Sequence, residues 1–98
     1  MFELGFADGW DTHYRKMDST EQKKIWKKIL QLKTLSKARH MQQGLPCFVV
    51  EAGQYRICFK EEASQRAIHF AGNHRQYQKW YKQFYLTPHS SFLNIKTL

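Results

Sequence analysis

The chain is short of three things, and each shortage removes a class of protein. Its 98 residues hold only two cysteines, Cys47 and Cys58, with no C-x-x-C spacing. Neither a disulfide framework nor a zinc finger can be built from that count. Acids are few and dispersed: eight Asp and Glu stand against sixteen Lys and Arg, and only Glu61 and Glu62 are adjacent. A carboxylate-built site for a divalent metal is not expected from such a scatter. Any chemistry here is expected to be metal-free, with no cofactor. Long apolar runs are missing too, since nothing approaches the roughly 18 residues a membrane span needs. No signal peptide is expected ahead of the first strand. A cytoplasmic protein with no membrane partner is expected.

What is present is aromatic and basic. Seven Phe, five Tyr and three Trp in a chain that is 42% hydrophobic argue for a folded domain rather than disorder. A single domain of this size buries roughly 60–70% of its extended-chain surface. The formal charge of +8 creates a field that favours polyanions. Nucleic acid is the commonest of these in a cell, and an acidic protein would be drawn equally well.

The segment Phe2-Glu3-Leu4-Gly5-Phe6 alternates and reads as a first strand with Phe2, Leu4 and Phe6 inward. Asp8 or Gly9 caps a short helix in which Trp10, Tyr14 and Met17 recur at i, i+4 and i+7. Ser19 with Gln22 three residues on fits a capping box that opens a second helix, about Thr20 to Ala38. Ile25, Ile29, Leu32 and Leu35 form its apolar stripe, widened by Trp26 and Leu30, and Lys23, Lys24 and Lys27 fall opposite. These lysines are either a solvated face or a phosphate-tracking surface, because clustered cations release counterions on meeting a nucleic-acid backbone. Gln42-Gln43-Gly44-Leu45-Pro46 is a loop.

The region from Gln54 to Tyr81 organises the rest. Tyr55, Ile57 and Phe59 alternate with Arg56, Cys58 and Lys60, the period of a half-buried strand. With Ala52-Gly53 as a two-residue turn, Glu51 pairs with Gln54, Val49 with Arg56, and Cys47 with Cys58. Phe48 and Val50 then share the core face with Tyr55, Ile57 and Phe59, while Val49, Glu51, Arg56 and Cys58 share the other. Wide spacing of the cysteine pair and a reducing compartment argue for free thiols. A third strand, Gln65 to Ala71, places Ile68 and Phe70 in the core and His69 on the open side. Gly72-Asn73-His74 then leads into a helix, about His74 to Leu86, with an aromatic stripe of Tyr77, Trp80, Tyr81, Phe84 and Tyr85. Thr87-Pro88 ends it. The expected fold is α+β: a small antiparallel sheet, two N-terminal helices packed on one face, and a C-terminal helix. The other face stays open to hold an extended polyanion.

Three motifs in this order carry a resemblance: Gly44-Leu45-Pro46-Cys47-Phe48, Gly53-Gln54-Tyr55-Arg56-Ile57 and Gly72-Asn73-His74-Arg75-Gln76-Tyr77. Together they resemble the RelE/ParE toxin superfamily, the last being most similar to the G-T-H-x-x-Y ending of HigB-like and YafQ-like members. The resemblance implies a RelE-like microbial RNase fold over residues 1–86, with 87–98 as a tail. It also implies a type II toxin that cleaves mRNA on the ribosome and is neutralised by a cognate antitoxin in a hetero-oligomer. Its chemistry would be metal-independent: a 2′-OH attacks the adjacent phosphodiester, leaving a 2′,3′-cyclic phosphate and a 5′-OH.

Carried over by motif, Arg56 is the arginine that stabilises the phosphorane and His74 the imidazole that moves a proton. Tyr77, one helical turn on, either stacks on substrate or packs in the core. The RelE branch has two lysines on the strand before the turn, where this chain has Val49 and Glu51. Glu51 would suit the glutamate base of YoeB-like members. Lys60, Arg75 and His69 are further RNA-binding candidates on or near the open face, with Lys23, Lys24 and Lys27 on the helix. A ParE-like toxin that inhibits DNA gyrase without nuclease chemistry, or a plain basic RNA-binding module, are the competing readings.

Overall fold

A computed structural model of the chain describes residues 1–35, 39–40, 47–86 and 96–97. Its strands are β1 (Glu3–Phe6), β2 (Arg39–His40), β3 (Phe48–Ala52), β4 (Tyr55–Glu62), β5 (Gln65–Asn73) and β6 (Lys96–Thr97), and its helices are α1 (Ser19–Gln31) and α2 (His74–Leu86). The fold is α+β, with the described strands in one sheet of order β2-β3-β4-β5-β1-β6. The sheet is mixed rather than antiparallel. β1 runs parallel to β5, with Leu4 beside Arg66 and Phe6 beside Ile68. Beyond it, β6 closes the edge against Gly5 and Phe6.

One N-terminal helix forms where two are expected. Trp10, Tyr14 and Met17 pack against the core as their spacing predicts. Their backbone, however, makes turns and a single 3-10 turn at Tyr14–Lys16. Gly9, at φ +83°, breaks the entry and Asp18 is extended at the exit. The interval between is too short to sustain an isolated helix, for which nucleation is costly. Asp18 itself caps α1, accepting from Glu21 N at 2.8 Å while Glu21 Oε1 accepts from Asp18 N at 3.4 Å. The capping box is therefore Asp18–Glu21, one residue ahead of the Ser19–Gln22 pair. α1 also ends early, at Gln31: residues 32–34 of its expected length form turns, and 36–38 lies outside the described residues. So do the 42–46 loop, the Gly44-Leu45-Pro46 part of the first motif, and Thr87-Pro88.

The stripe of α1 buries Ile25, Ile29 and Leu32 completely against Leu4, Phe6, Val50, Ile57, Phe59 and Ile68. Each fully buried aliphatic side chain contributes about 1.5–3 kcal/mol of hydrophobic free energy. The opposite face is not open. There Cys47, Val49, Cys58 and Phe70 form a second cluster under Tyr77, Trp80 and Tyr81 of α2. Helices thus sit on both faces, because α2 carries an apolar stripe of its own that must be buried.

Two registers differ from the sequence reading. In the β3–β4 hairpin the loop is Gly53-Gln54, with Glu51 opposite Arg56 and Val49 opposite Cys58. Gly53 takes φ +62°, the positive value that two-residue hairpin loops require. Partners shift by two positions, so every residue keeps its expected face. In β5 a bulge breaks the pattern: Cys58 pairs with Phe70 but Phe59 pairs with Ile68, leaving His69 as the extra residue. Ile68 and Ala71 therefore face α1, while Phe70 faces α2, not the main core. Among the described residues no helix is long and apolar enough to cross a membrane.

Candidate functional site

The parity of β4 aims Arg56 at the α2 side of the sheet, directly opposite Gly72 on β5. β5 runs to Asn73, whose Oδ1 accepts from Gln76 N at 2.8 Å, while Asn73 N donates to Gln76 Oε1 at 2.9 Å. This reciprocal cap starts α2 at His74 without a break between strand and helix. Tyr77 follows one turn later on the same face. The Arg56 guanidinium lies 5.1 Å from the Tyr77 ring centroid, and the His74 and Tyr77 rings are 6.4 Å apart and near parallel at 27°. His74 is exposed, Arg56 and Tyr77 half-buried. An arginine held over a tyrosine face is stabilised by about 0.5–1 kcal/mol when partly exposed. It is thereby fixed beside an accessible imidazole, a pairing able to bind a phosphodiester and move a proton on it.

The fold that carries this site has a counterpart among solved structures. No protein-family model matches the sequence, and no curated protein is significantly similar to it. A solved structure of E. coli toxin RelE, a mutant with two arginines replaced by alanine, in complex with an antitoxin RelBc peptide, aligns with a TM-score of 0.56. The alignment covers 84% of this chain and 93% of RelE at 18% sequence identity. The chain has the RelE fold.

Within this RelE-like sheet the other candidates fall into separate groups. Glu51 is exposed, directly across from Arg56 in the hairpin. It also lines a shallow groove of about 270 Å³ with Lys24, Lys27, Lys28 and Gln31 of α1. The hairpin end thus links Arg56 on one face to the exposed lysines of α1 on the other. Lys23 lies on that same solvent side, and Arg75 is exposed beside His74. Lys60 and His69 do not join the Arg56 group. Lys60 follows Arg56 and Cys58 on the same face but is only 5% exposed. His69 occupies the bulge, where burial first and the Lys60 charge second push its imidazole down to about 4. A ring so shifted is neutral at physiological pH. Both thiols are free and buried. Burial raises Cys47 to about 11, against a smaller lowering by Lys60, and raises Cys58 well above the usual thiol range. Neither is a nucleophile near neutrality.

Two residues have roles that were not visible in sequence. Gly72, read there only as part of the strand-to-helix junction, lets strand and helix approach closely, a need that only the folded backbone creates. Arg66 reads as an ordinary strand residue yet is 2% exposed. It pairs with Glu61 at 2.8 Å, donates to the carbonyls of Leu32 and Leu35, and stacks 3.7 Å from the Phe2 ring. It closes the C-terminal end of α1 and is structural.

Proposed function

We propose that the chain is the toxin of a type II toxin–antitoxin pair, a ribosome-dependent endonuclease that cleaves mRNA by metal-independent transesterification. The observation that carries this reading is the convergence of Arg56, His74 and Tyr77 at the β4–β5–α2 junction of a RelE-like fold. In the reaction, the ribose 2′ oxygen bonds to phosphorus and the bond from phosphorus to the 5′ oxygen breaks. The proton leaves the 2′-OH to a base and another is delivered to the departing 5′ oxygen. Arg56 holds the extra negative charge of the phosphorane. His74 serves the proton transfer, with Glu51, across the hairpin, as the second carrier. Tyr77 fixes Arg56 and offers a ring to the substrate. Arg75 follows the RNA backbone beside His74 and the α1 lysines Lys23, Lys24 and Lys27 continue that track past the hairpin end, while the buried Lys60 and the His69 of the bulge lie beneath the Arg56 face.

The partner is a cognate antitoxin. RelE itself is solved in complex with an antitoxin RelBc peptide, and the +8 charge of this chain suits an acidic, amphipathic partner segment. The test is primer extension on translated messages in cells expressing the protein, with the purified protein also applied to naked and to translating message. Cuts within reading frames that need translation support the proposal. Equal cleavage of naked RNA removes ribosome dependence, and intact mRNA with DNA damage replaces the nuclease by a ParE-like gyrase poison.

A further inference from the structure

His13 lies outside every motif, yet the fold brings it to the functional face. Its ring meets Phe70 edge-on at 5.8 Å. Phe70 in turn stacks on Trp80 at 5.0 Å and contacts Tyr77 at 6.2 Å. A continuous set of rings therefore runs from His13 to the Arg56–Tyr77 pair. His13 is half-buried, and the exposed Lys16 follows it in the 3-10 turn, with Lys16 N donating to His13 O at 3.1 Å. Lys79, also exposed, comes from α2 beside Trp80. Lys16 is thus held in the same turn as His13, and Lys79 precedes the Trp80 whose ring stacks on Phe70, the ring that His13 meets; after burial, these two cations in that order lower the His13 pKa. The nearby carboxylate of Asp11 is engaged with Arg15 at 3.5 Å. Among the described residues no carboxylate pairs with Lys16 or Lys79. Cations brought from two distant segments to one side of the sheet make a local positive field that favours an anion.

We infer that His13, Lys16 and Lys79 form a second phosphate subsite, which takes a backbone phosphate of the same RNA strand whose scissile phosphodiester lies at Arg56. The inference rests on the nuclease reading and extends it to substrate length. Single-stranded nucleic acid is bound by cations that track the backbone beside aromatic rings that meet its bases. Tyr77 and Trp80 supply such rings between the two cationic groups. Short RNA reaches Arg56 alone, and longer RNA reaches both.

The experiment measures binding of fluorescein-labelled, fully 2′-O-methylated oligouridylates, which lack the attacking hydroxyl and cannot be cut. A dimer and a hexamer are compared by anisotropy across a salt series. Lys16→Gln/Lys79→Gln should flatten the hexamer slope of log K against log salt by about 0.7, the contribution of the one single-strand phosphate contact that is lost. Its affinity should fall about fivefold or more at low salt, and dimer binding should stay unchanged. His13→Ala should weaken the hexamer and spare the dimer. The charge-matched Lys28→Gln/Lys33→Gln protein should change the hexamer slope by less than half as much. Equal losses in the two double variants, or equal losses for dimer and hexamer, overturn the subsite while cleavage of translated mRNA leaves the nuclease reading standing. A parent protein that binds neither oligonucleotide but binds an acidic peptide through Lys16 and Lys79 overturns the subsite as an RNA site. Absence of cleavage on translated mRNA then overturns the nuclease reading as well.

Discussion

Gly72 faces Arg56 across the β4–β5 ladder, and a Cβ at that position would fall 2.7 Å from Phe70 Cζ and 2.8 Å from Gln76 Oε1. Neither group is idle. Phe70 anchors the cluster beneath α2, and Gln76 Oε1 accepts from Asn73 N to start the helix at His74. One absent side chain therefore permits both the cap and the close seating of α2 over Arg56.

Gly72→Ala is accordingly expected to destabilise the fold by about 1–3 kcal/mol, the usual range for an overpacked site. Because the displaced groups lie next to His74, cleavage should fall further than the melting temperature alone explains. Thermal melts and single-turnover rates at a temperature where the variant is fully folded provide the check. A variant with parent-like rates would mean that the approach of α2 does not position His74.

Arg56→Ala and His74→Ala should each restore growth to cells expressing the protein, with folding retained. Loss of one charge-stabilising contact typically lowers rate by about 10²–10³, and loss of a general acid or base by about 10²–10⁴. Glu51→Gln separates a glutamate base from a histidine working alone. Tyr77→Phe keeps the ring that Arg56 lies over, so a large loss there would assign the hydroxyl a proton or phosphate contact. The measurement is single-turnover cleavage of ribosome-bound message. His74→Ala within threefold of the parent would exclude His74 from proton transfer.

Arg66→Met should cost about 3 kcal/mol or more, although the side chain is far from being a surface charge in the usual sense. The change removes the partner of Glu61 and leaves the carbonyls of Leu32 and Leu35 without their donor. Arg66→Lys is not expected to rescue, since an ammonium cannot reproduce the planar fork or its stacking on Phe2. Urea unfolding of the three proteins decides the matter, and a Lys variant equal to the parent would contradict it.

His69 predicts an acid sensitivity. Its folded pKa is about 4 against 6.5 for the ordinary group, so between those values the unfolded chain binds a proton that the folded chain refuses. Stability is complete above about pH 6.5, falls as pH drops, and stops falling from this source near pH 4. The full window corresponds to about 3 kcal/mol. His69→Gln should flatten the pH dependence of urea unfolding between pH 6.5 and 4 relative to the parent. Parallel curves for the two proteins would remove His69 as the cause.

Local periodicity alone determined much of this protein. Alternation in Tyr55–Lys60 assigned each side chain of β4 to its face, including Arg56. The 3.6-residue stripe of α1 named Ile25, Ile29 and Leu32 as core, and the start of α2 at His74 was legible in Gly72-Asn73-His74. These features survive because side-chain parity and helical spacing depend on neighbours in the chain, and a two-position change of partner in the β3–β4 hairpin leaves them untouched. Tertiary structure decided the rest. β1 lies parallel to β5 because strand pairing across sixty residues is chosen by packing, which no local pattern records. The bulge at His69 turns Phe70 toward α2 by adding a single residue to one side of a ladder. Arg66 is buried because the carbonyl end of α1 arrives over β5, and Arg56 meets Tyr77 because α2 folds back onto the sheet. That junction joins two residues 21 apart in sequence through one ring contact in space.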